Sequence, residues 1–292
     1  MNEHMQRHAD GTARVLRASG LGDGRLMRFD RLPSTNSWAL VHLGELRDGD
    51  AIWAAHQTAG RGRFERVWVA PAGTALAFSI VLRGAAFVPL GANLGQVAAW
   101  AVLDTLLELA GSGSPIQLKW PNDVMLDGRK VAGILVEKGA PDDAFVVGIG
   151  LNINVSGEDF AAAGLDRTAT SLRAASGRVF DLDDVLAKLL GRFAACLDRT
   201  RREGLAPLLA VWSAQDWLAG QDVEVALADG RRRGHYLGLD SLGRLRLRAA
   251  GGTEQALWTG DVERVTTAPS RTGRRPPPSA PRRPGGARTP RG

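Results

Sequence analysis

The spacing of apolar residues takes three forms along the chain, and each marks a different kind of element. Up to about residue 154 the apolar residues fall mostly in short, near-continuous runs, the pattern of buried strands. Met27 to Phe29 predicts a strand leading to "RLPSTNSWAL", where Ser34 or Thr35 is placed to cap a helix carrying Trp38 and Leu40. "DAIWAAHQ" from Asp50 and "TALAFSIVL" from Thr74 predict two more strands. Leu94, Val97, Ala98, Ala101 and Val102 then recur at helical spacing, with Gly111 as a stop. "IQLKW" from 116, "VML" from 124, "KVAGILVE" from 130 and "AFVVGIGLNIN" from 144 predict further short strands.

From Asp181 the period becomes helical. Val185, Leu186, Leu189, Phe193 and Leu197 share one face, and "APLLAVWSAQDWL" from Ala206 predicts a second helix. Next come short alternating runs, "DVEVAL", "HYLGLD", "GRLRLR" and "EQALW", separated by "ADG", "DSLG" and "AAGG", the turn chemistry of a small antiparallel barrel. The predicted organisation is an N-terminal arm over 1–26, a main unit over 27–219, a strand-rich unit over 220–266 and a tail over 267–292. The fold class is α+β, a mixed sheet with packed helices followed by the small barrel. A unit as small as the barrel is too marginal to stand alone, so it is expected to pack on the first.

Composition changes this picture little and charge changes it at one end. Of 292 residues, 44% are hydrophobic and 23% charged, ordinary for a globular chain. No apolar run approaches the roughly 18 residues of a membrane span, and the N-terminus lacks the apolar stretch of a secretion signal, so a soluble, cytoplasmic protein is expected. Cys196 lies on the apolar side of its helical pattern and reads as a core thiol. The histidines show no metal-ligand spacing, and no structural metal is expected. The net charge is +6, yet residues 267–292 hold seven arginines with no lysine and no acid, which leaves the rest at −1. Rich in Pro, Gly and Arg, the tail has the composition of a disordered segment; a solvated extension and a weak binder of nucleic acid or another polyanion both remain open.

Three stretches can carry chemistry. "HQTAGRGRFERVW", His56 to Trp68, sets Arg61, Arg63 and Arg66 among glycines that let backbone amides approach a ligand. It is not a dinucleotide fingerprint, because the third glycine position is Glu65 and no helical run begins there, and no phosphate-binding P-loop motif occurs elsewhere. An anion-binding loop is the reading these residues support. In "LKWPNDVMLDGRKVAGILVEK", Pro121 fixes a turn, Asn122 and Asp123 offer an amide and a carboxylate, and Lys130 opens an apolar strand as a nearby cation. An ordinary Pro-Asn-Asp turn fits that stretch as well. In "GIGLNIN", Gly148 and Gly150 interrupt a strand, a sign of close approach by a ligand or another backbone.

In their order and gaps, "STN" at 34, "QTAGRGR" at 57, Trp68, "KWPND" at 119, "KVAGIL" at 130 and "GIGLNIN" at 148 resemble the biotin protein ligases, or biotin–acetyl-CoA-carboxylase ligases. The likeness is dense from Asp30 to Asn154, and the C-terminal unit is similar to the SH3-like barrel that ends those proteins. It implies the biotin/lipoate ligase fold, akin to class II aminoacyl-tRNA synthetases. It implies ATP-dependent formation of biotinyl-5′-AMP, then transfer of biotin to a lysine of a biotin carboxyl carrier protein, with Mg²⁺ accompanying ATP.

Matched position by position, the resemblance places Ser34, Thr35 and Gln57 on the biotin ureido ring, with Asn36 in the same motif and Gly133 beneath. Gly60, Arg61 and Arg63 belong to a loop that orders over biotin and the adenylate, and Lys130 reaches the carboxylate and α-phosphate. The catalytic set is then Lys130, Arg61 and Arg63. Trp68 stacks on adenine, Asn122 and Asn152 hold base or ribose, and Asp123 contributes to the Mg²⁺ environment. Without the resemblance, Trp68 reads equally as a core residue. The family usually has Gly where this chain has Glu65, which is expected to face solvent. The stretch before the catalytic pattern is too short for a helix-turn-helix, so a ligase without a repressor's DNA-binding domain is expected.

A lipoate ligase shares the fold, but the full "GRGR" loop and "KWPND" favour biotin; an octanoyltransferase would need a cysteine near the lysine. A nucleic-acid binder acting through its tail is the reading from a different class. Truncation after Val265 should leave ligase kinetics within about twofold and abolish any retention on DNA at low salt. Steady-state assays and a DNA column run on both forms check this.

Overall fold

A computed structural model of the chain describes residues 4–8, 11–17, 21–111, 113–140 and 143–266. The basic tail over 267–292 lies outside them. Among the described residues sixteen strands and six α-helices follow one another: β1 (His4–His8), β2 (Gly11–Arg17), β3 (Arg25–Leu32), α1 (Thr35–Val41), β4 (Ala51–Gln57), β5 (Gly60–Arg61), β6 (Val67–Trp68), β7 (Ala75–Arg83) and α2 (Leu94–Ala110). Then come β8 (Ile116–Lys119), β9 (Asp123–Leu126), β10 (Arg129–Lys138), β11 (Ala144–Asn152), α3 (Gly157–Ala162), α4 (Leu172–Ser176), α5 (Leu182–Glu203) and α6 (Ala206–Ala214). β12 (Asp222–Leu227), β13 (Gly230–Leu239), β14 (Leu245–Arg248), β15 (Glu254–Leu257) and β16 (Asp261–Thr266) complete the order.

Nine strands form one sheet in the order β1-β2-β3-β4-β7-β11-β10-β9-β8. It is mixed, because β3 and β4 run parallel and the other neighbours antiparallel. The predicted arm over 1–26 is therefore partly sheet: β1 and β2 form a hairpin that extends the edge at β3, which itself begins at Arg25. Alternation along the strands, with its period of two, sends side chains to opposite faces. One face carries Trp53, Phe78, Ile80, Val147 and Ile149 into the main core beneath α2, α5 and α6. The other carries Ile52, Ala54, Val81 and Val146 into a smaller core under α1, built on Trp38 and Phe29.

The helices start and stop where their capping chemistry allows. Ser34 accepts the Ser37 amide ahead of α1, Asp181 accepts two amides ahead of α5, and α2 ends at Gly111 with φ of 89°. The helical stretch Ala85–Ala110 is long and apolar enough, by length and composition, to cross a membrane, contrary to the expectation that no such segment exists. Here it lies against the sheet with 61% of its most apolar window buried. Cys196 sits in the main core, and burial pushes its thiol up to about 12.

The five C-terminal strands form an antiparallel sheet in the order β15-β14-β13-β12-β16. Its Val223, Val225, Tyr236, Leu245 and Val262 join the same core as α2, α5 and α6, so the small unit shares its apolar interior with the large one. Polar contacts fix the junction. Gln96 Nε2 donates to Gly243 O at 2.9 Å, Asn93 Nδ2 to Leu242 O at 3.0 Å, and Tyr236 Oη to Asp216 Oδ2 at 2.6 Å.

Burial pushes the Asp216 carboxyl up, while the Tyr236 hydroxyl and the Leu218 amide hold it down. Tyr236→Phe removes the donor and leaves a partly buried carboxylate oxygen short of a partner, so it should destabilise the fold by about 1–3 kcal/mol at neutral pH. The sign with pH follows from the raised folded value: the burden of burying the charged carboxylate is present at neutral pH and vanishes once Asp216 is protonated. The deficit of the variant should therefore shrink as pH falls through the folded Asp216 value. Urea melts of both forms across pH 4 to 8 measure it.

Candidate functional site

The face of the sheet that α1 only partly covers is open at its centre because strand register lines up small residues there. Asp123, Gly133, Gly150, Ala77 and Ala54 are direct neighbours across β9, β10, β11, β7 and β4. In the next row stand Leu135, Gly148 and Ser79. Above these rows lies a cleft with about 790 Å³ of empty space, part of it open to solvent.

Each glycine of the floor is matched to a side chain lying across it. A Cβ on Gly148 would stand 2.1 Å from Asn36 Oδ1, one on Gly150 2.6 Å from the Trp68 ring, and one on Gly133 2.8 Å from Lys130 Nζ. Asn36, Trp68 and Lys130 therefore reach the middle of the sheet only because those positions have no side chain.

At the Gly148 end the start of α1 supplies a buried polar network. Ser79 Oγ is 2.7 Å from Thr35 Oγ1 and 2.6 Å from Asn36 Oδ1. Gln57 Oε1 accepts the Thr35 amide at 2.7 Å and the Thr35 hydroxyl at 3.1 Å, which leaves its Nε2 as a donor. Asn36 Nδ2 donates to Leu135 O and to Glu137 Oε2, and the same carboxylate oxygen pairs with Arg61. Ser34, Thr35 and Asn36 are each 3% exposed, too buried for polar groups unless they are bonded to one another or to a ligand.

In the neighbouring row Lys130 Nζ pairs with Asp123 Oδ1 at 2.7 Å. The arginine loop forms the roof. Arg63 Nη1 donates to Asn122 Oδ1 at 3.3 Å and Nη2 to Thr259 Oγ1 at 2.8 Å, while Arg66 pairs with Asp261 of β16. Burial lowers the Arg63 guanidinium, partly offset by Asp261 and Asp123. It also pushes the Lys119 ammonium down, again against the pull of Asp123 and Asp261. Four cationic side chains, Arg61, Arg63, Arg66 and Lys130, line the cleft against two carboxylates, Asp123 and Asp261.

Of the residues singled out from sequence, Ser34, Thr35, Asn36, Gln57, Arg61, Arg63, Trp68, Asn122, Asp123, Lys130 and Gly133 all line this cleft. Trp68 is half-buried there and is not part of either large core. Gly60 does not line it: Gly60 pairs with Trp68 across β5 and β6, where a Cβ would strike Trp68 O at 2.5 Å, so it sets the indole's position. Asn152 does not line it either. It shares a face of β11 with Gly148 and Gly150 but is buried past the indole, with Nδ2 donating to Thr170 O and Oδ1 lacking a partner. Glu65 is exposed, as expected, and adopts φ of 59°, the left-handed region where glycine is preferred.

Sequence reasoning missed Glu137, Ser79, Thr259 and Asp261. Alternation from Gly133 through Leu135 was enough to place Glu137 on the cleft face. Nothing local to "WTGDV" signals that Thr259 and Asp261 meet a loop some 195 residues earlier.

Residues 26–154 match the biotin/lipoate A/B protein ligase family. A biotin–[acetyl-CoA-carboxylase] ligase of Paracoccus denitrificans is 34% identical over 228 residues, 77% of this chain and 94% of that protein. The ligase of the same name from Mycobacterium tuberculosis is 36% identical over 235 residues, 78% of this chain and 85% of that one. Among solved structures, the biotin protein ligase of Aquifex aeolicus in complex with biotin and ATP is similar with a TM-score of 0.71 and 27% identity, over 83% of this chain and 99% of that one. In sequence across most of its length, and in its mixed-sheet fold with an SH3-like ending, this chain belongs to the biotin protein ligase family.

Proposed function

We propose that the protein activates biotin with ATP to biotinyl-5′-AMP and transfers it to a lysine of a biotin carboxyl carrier domain in the cytoplasm. Besides family membership, one observation carries the reading. A lysine and an arginine loop converge over a floor without side chains, one strand row from a buried polar network.

Two residues along a strand span about 7 Å, so the polar network over Gly148 and the lysine over Gly133 suit the two ends of a bicyclic acid. The ureido ring offers two N–H donors and a carbonyl. The hydroxyls of Ser34 and Thr35 and the Gln57 amide supply the complementary set, held in place by bonds that do not use Gln57 Nε2. A lipoyl dithiolane has no hydrogen-bonding group and would leave this network unsatisfied, which favours biotin.

In the first step a biotin carboxylate oxygen attacks the α-phosphorus, the bond to the bridging oxygen breaks, and pyrophosphate leaves with the electron pair. In the second, the neutral amine of the carrier lysine attacks the acyl carbon, AMP departs, and the amine loses a proton to solvent. Both steps gather negative charge, so preorganised cationic donors matter more than a protein nucleophile. Lys130 is aimed by Asp123, and Arg61 by Glu137. Trp68 offers an indole to the adenine, and Asn152 Oδ1, with no partner, is an acceptor for its amino group once the indole shifts.

Mg²⁺ accompanies ATP in this reading. Asp123 has the hard oxygen donors such a cation takes. Lys130 already holds it, however, and among the described residues no three His, Cys, Asp or Glu side chains gather to bind a metal unaided. With ATP bound, the triphosphate oxygens would supply the remaining ligands.

Incubating the chain with ATP, Mg²⁺ and biotin or lipoate should release pyrophosphate with biotin alone, and the carrier domain should gain one biotinyl group by mass. Pyrophosphate release with lipoate and not biotin would overturn the assignment. Lys130→Ala should slow adenylation by about a hundredfold or more, the effect of losing a donor to developing charge, about 3 to 4 kcal/mol. Gly148→Ala should displace Asn36 and raise the biotin KM by about tenfold or more with a smaller change in kcat, since its clash lies at the ureido end. Glu65→Gly should alter the dissociation rate of biotinyl-5′-AMP by less than about tenfold, because the exposed carboxylate is screened and relief of one left-handed residue is worth about 1 kcal/mol. Stopped-flow Trp fluorescence reads that rate.

A further inference from the structure

Phe64 and Glu65 both adopt left-handed backbone, with φ of 53° and 59°. For residues bearing a Cβ this conformation is unfavourable, and two in succession persist only where the surroundings hold them. The residues on either side are the two that reach the C-terminal barrel. Arg63 donates to Thr259 Oγ1, and Arg66 pairs with the largely buried Asp261 carboxylate, 14% exposed. Asp261 itself lines the cleft and opens β16, while Thr259 lies two residues before it.

We infer that Thr259 and Asp261 are positioning residues: the barrel clasps both shoulders of the strained turn and so fastens the arginine loop over the cleft. Neither needs to touch the reacting atoms. They act through Arg63 and Arg66, setting how long the roof stays closed over a bound intermediate. The barrel is then the fixed half of the gate. It is attached to the main unit through the shared apolar core and through Gly243 and Leu242, whose carbonyls accept from Gln96 and Asn93 at the start of α2.

The inference rests on the ligase reading only for what the closed roof retains, and the experiment separates the two. Full-length Asp261→Asn and Thr259→Val, with the original chain alongside, are digested with limiting trypsin without ligand, and cleavage after Arg61, Arg63 and Arg66 is timed by mass spectrometry. Cleavage should quicken by about fivefold in Asp261→Asn and by severalfold in Thr259→Val, the scale of one lost ion pair or hydrogen bond, with melting temperatures within about 2 °C of the original. Asp261→Glu should restore most of the protection.

With biotin and ATP, the same variants should release biotinyl-5′-AMP faster by a similar factor, with biotin KM changed less than the release rate. Unchanged cleavage and release within twofold in both folded variants would overturn the clasp. If Asp261→Asn fails to fold, Thr259→Val decides alone by the same criterion. Faster cleavage in a chain that forms no adenylate would leave the clasp standing and remove the ligase reading.

Discussion

The site depends on a vacancy. Where β10, β11 and β7 cross the middle of the sheet, register sets Gly133, Gly150 and Ala77 side by side, with Gly148 and Ser79 in the next row. A continuous sheet normally closes such a face with side chains packed under helices, as it does a few residues away beneath α1. Here the missing side chains let Lys130, Trp68 and Asn36 fold inward over the backbone. One added methyl group at any of the three glycines would collide with a functional side chain. The chemistry is thus assembled by three strands whose glycines must fall in register, and a one-residue slip would turn every one of these positions to the other face.

This explains what was legible in the sequence. The long strands of the main sheet and helices α2, α5 and α6 followed from apolar spacing, because burial on the sheet faces is what the spacing encodes, whereas the β1–β2 hairpin and the short α3 and α4 did not. "GIGLNIN" by itself signals only a close approach, since a glycine in a strand does not say what lies on it. Only pairing with β10 and β7 shows Asn36 and Trp68 there. For Asn152, spacing gives the face and not the depth. Its alternation with Gly150 is real, yet the indole lies across Gly150, and Asn152 is buried past it, bonded to Thr170. The family resemblance assigned individual side chains to the cleft that spacing alone could not, and the cleft lining brings most of them together. It was silent on Glu137, whose carboxylate binds Asn36 and Arg61 and so couples the polar network to the loop.

Charge in the cleft is arranged so that each cation already has an anchor. Lys130 leans on Asp123, Arg61 on Glu137 and Arg66 on Asp261, while Arg63 uses neutral oxygens of Asn122 and Thr259. An unanchored arginine would lose side-chain entropy on meeting a phosphate. One already held by a carboxylate is oriented in advance, and the phosphate then shares or displaces that carboxylate. Arg63 differs because its hydrogen bonds go to neutral oxygens and burial disfavours its charge more than nearby Asp261 and Asp123 restore it. An incoming anion would add to what those two acids supply.

The position of Glu65 follows from the same balance. A family glycine at this site would relax the left-handed turn, yet the chain places an acid there and Phe64 beside it, both exposed. A carboxylate turned inward would oppose the phosphate over a few ångströms in a partly desolvated cleft, where the repulsion is poorly screened. Turned outward it is hydrated, and the turn's strain becomes the larger concern. That strain falls between Arg63 and Arg66, the two residues tied to the barrel. A loop with glycine at this point could close by its own flexibility. A loop with glutamate needs its shoulders held, which makes the C-terminal unit part of the active site's geometry as well as part of its core.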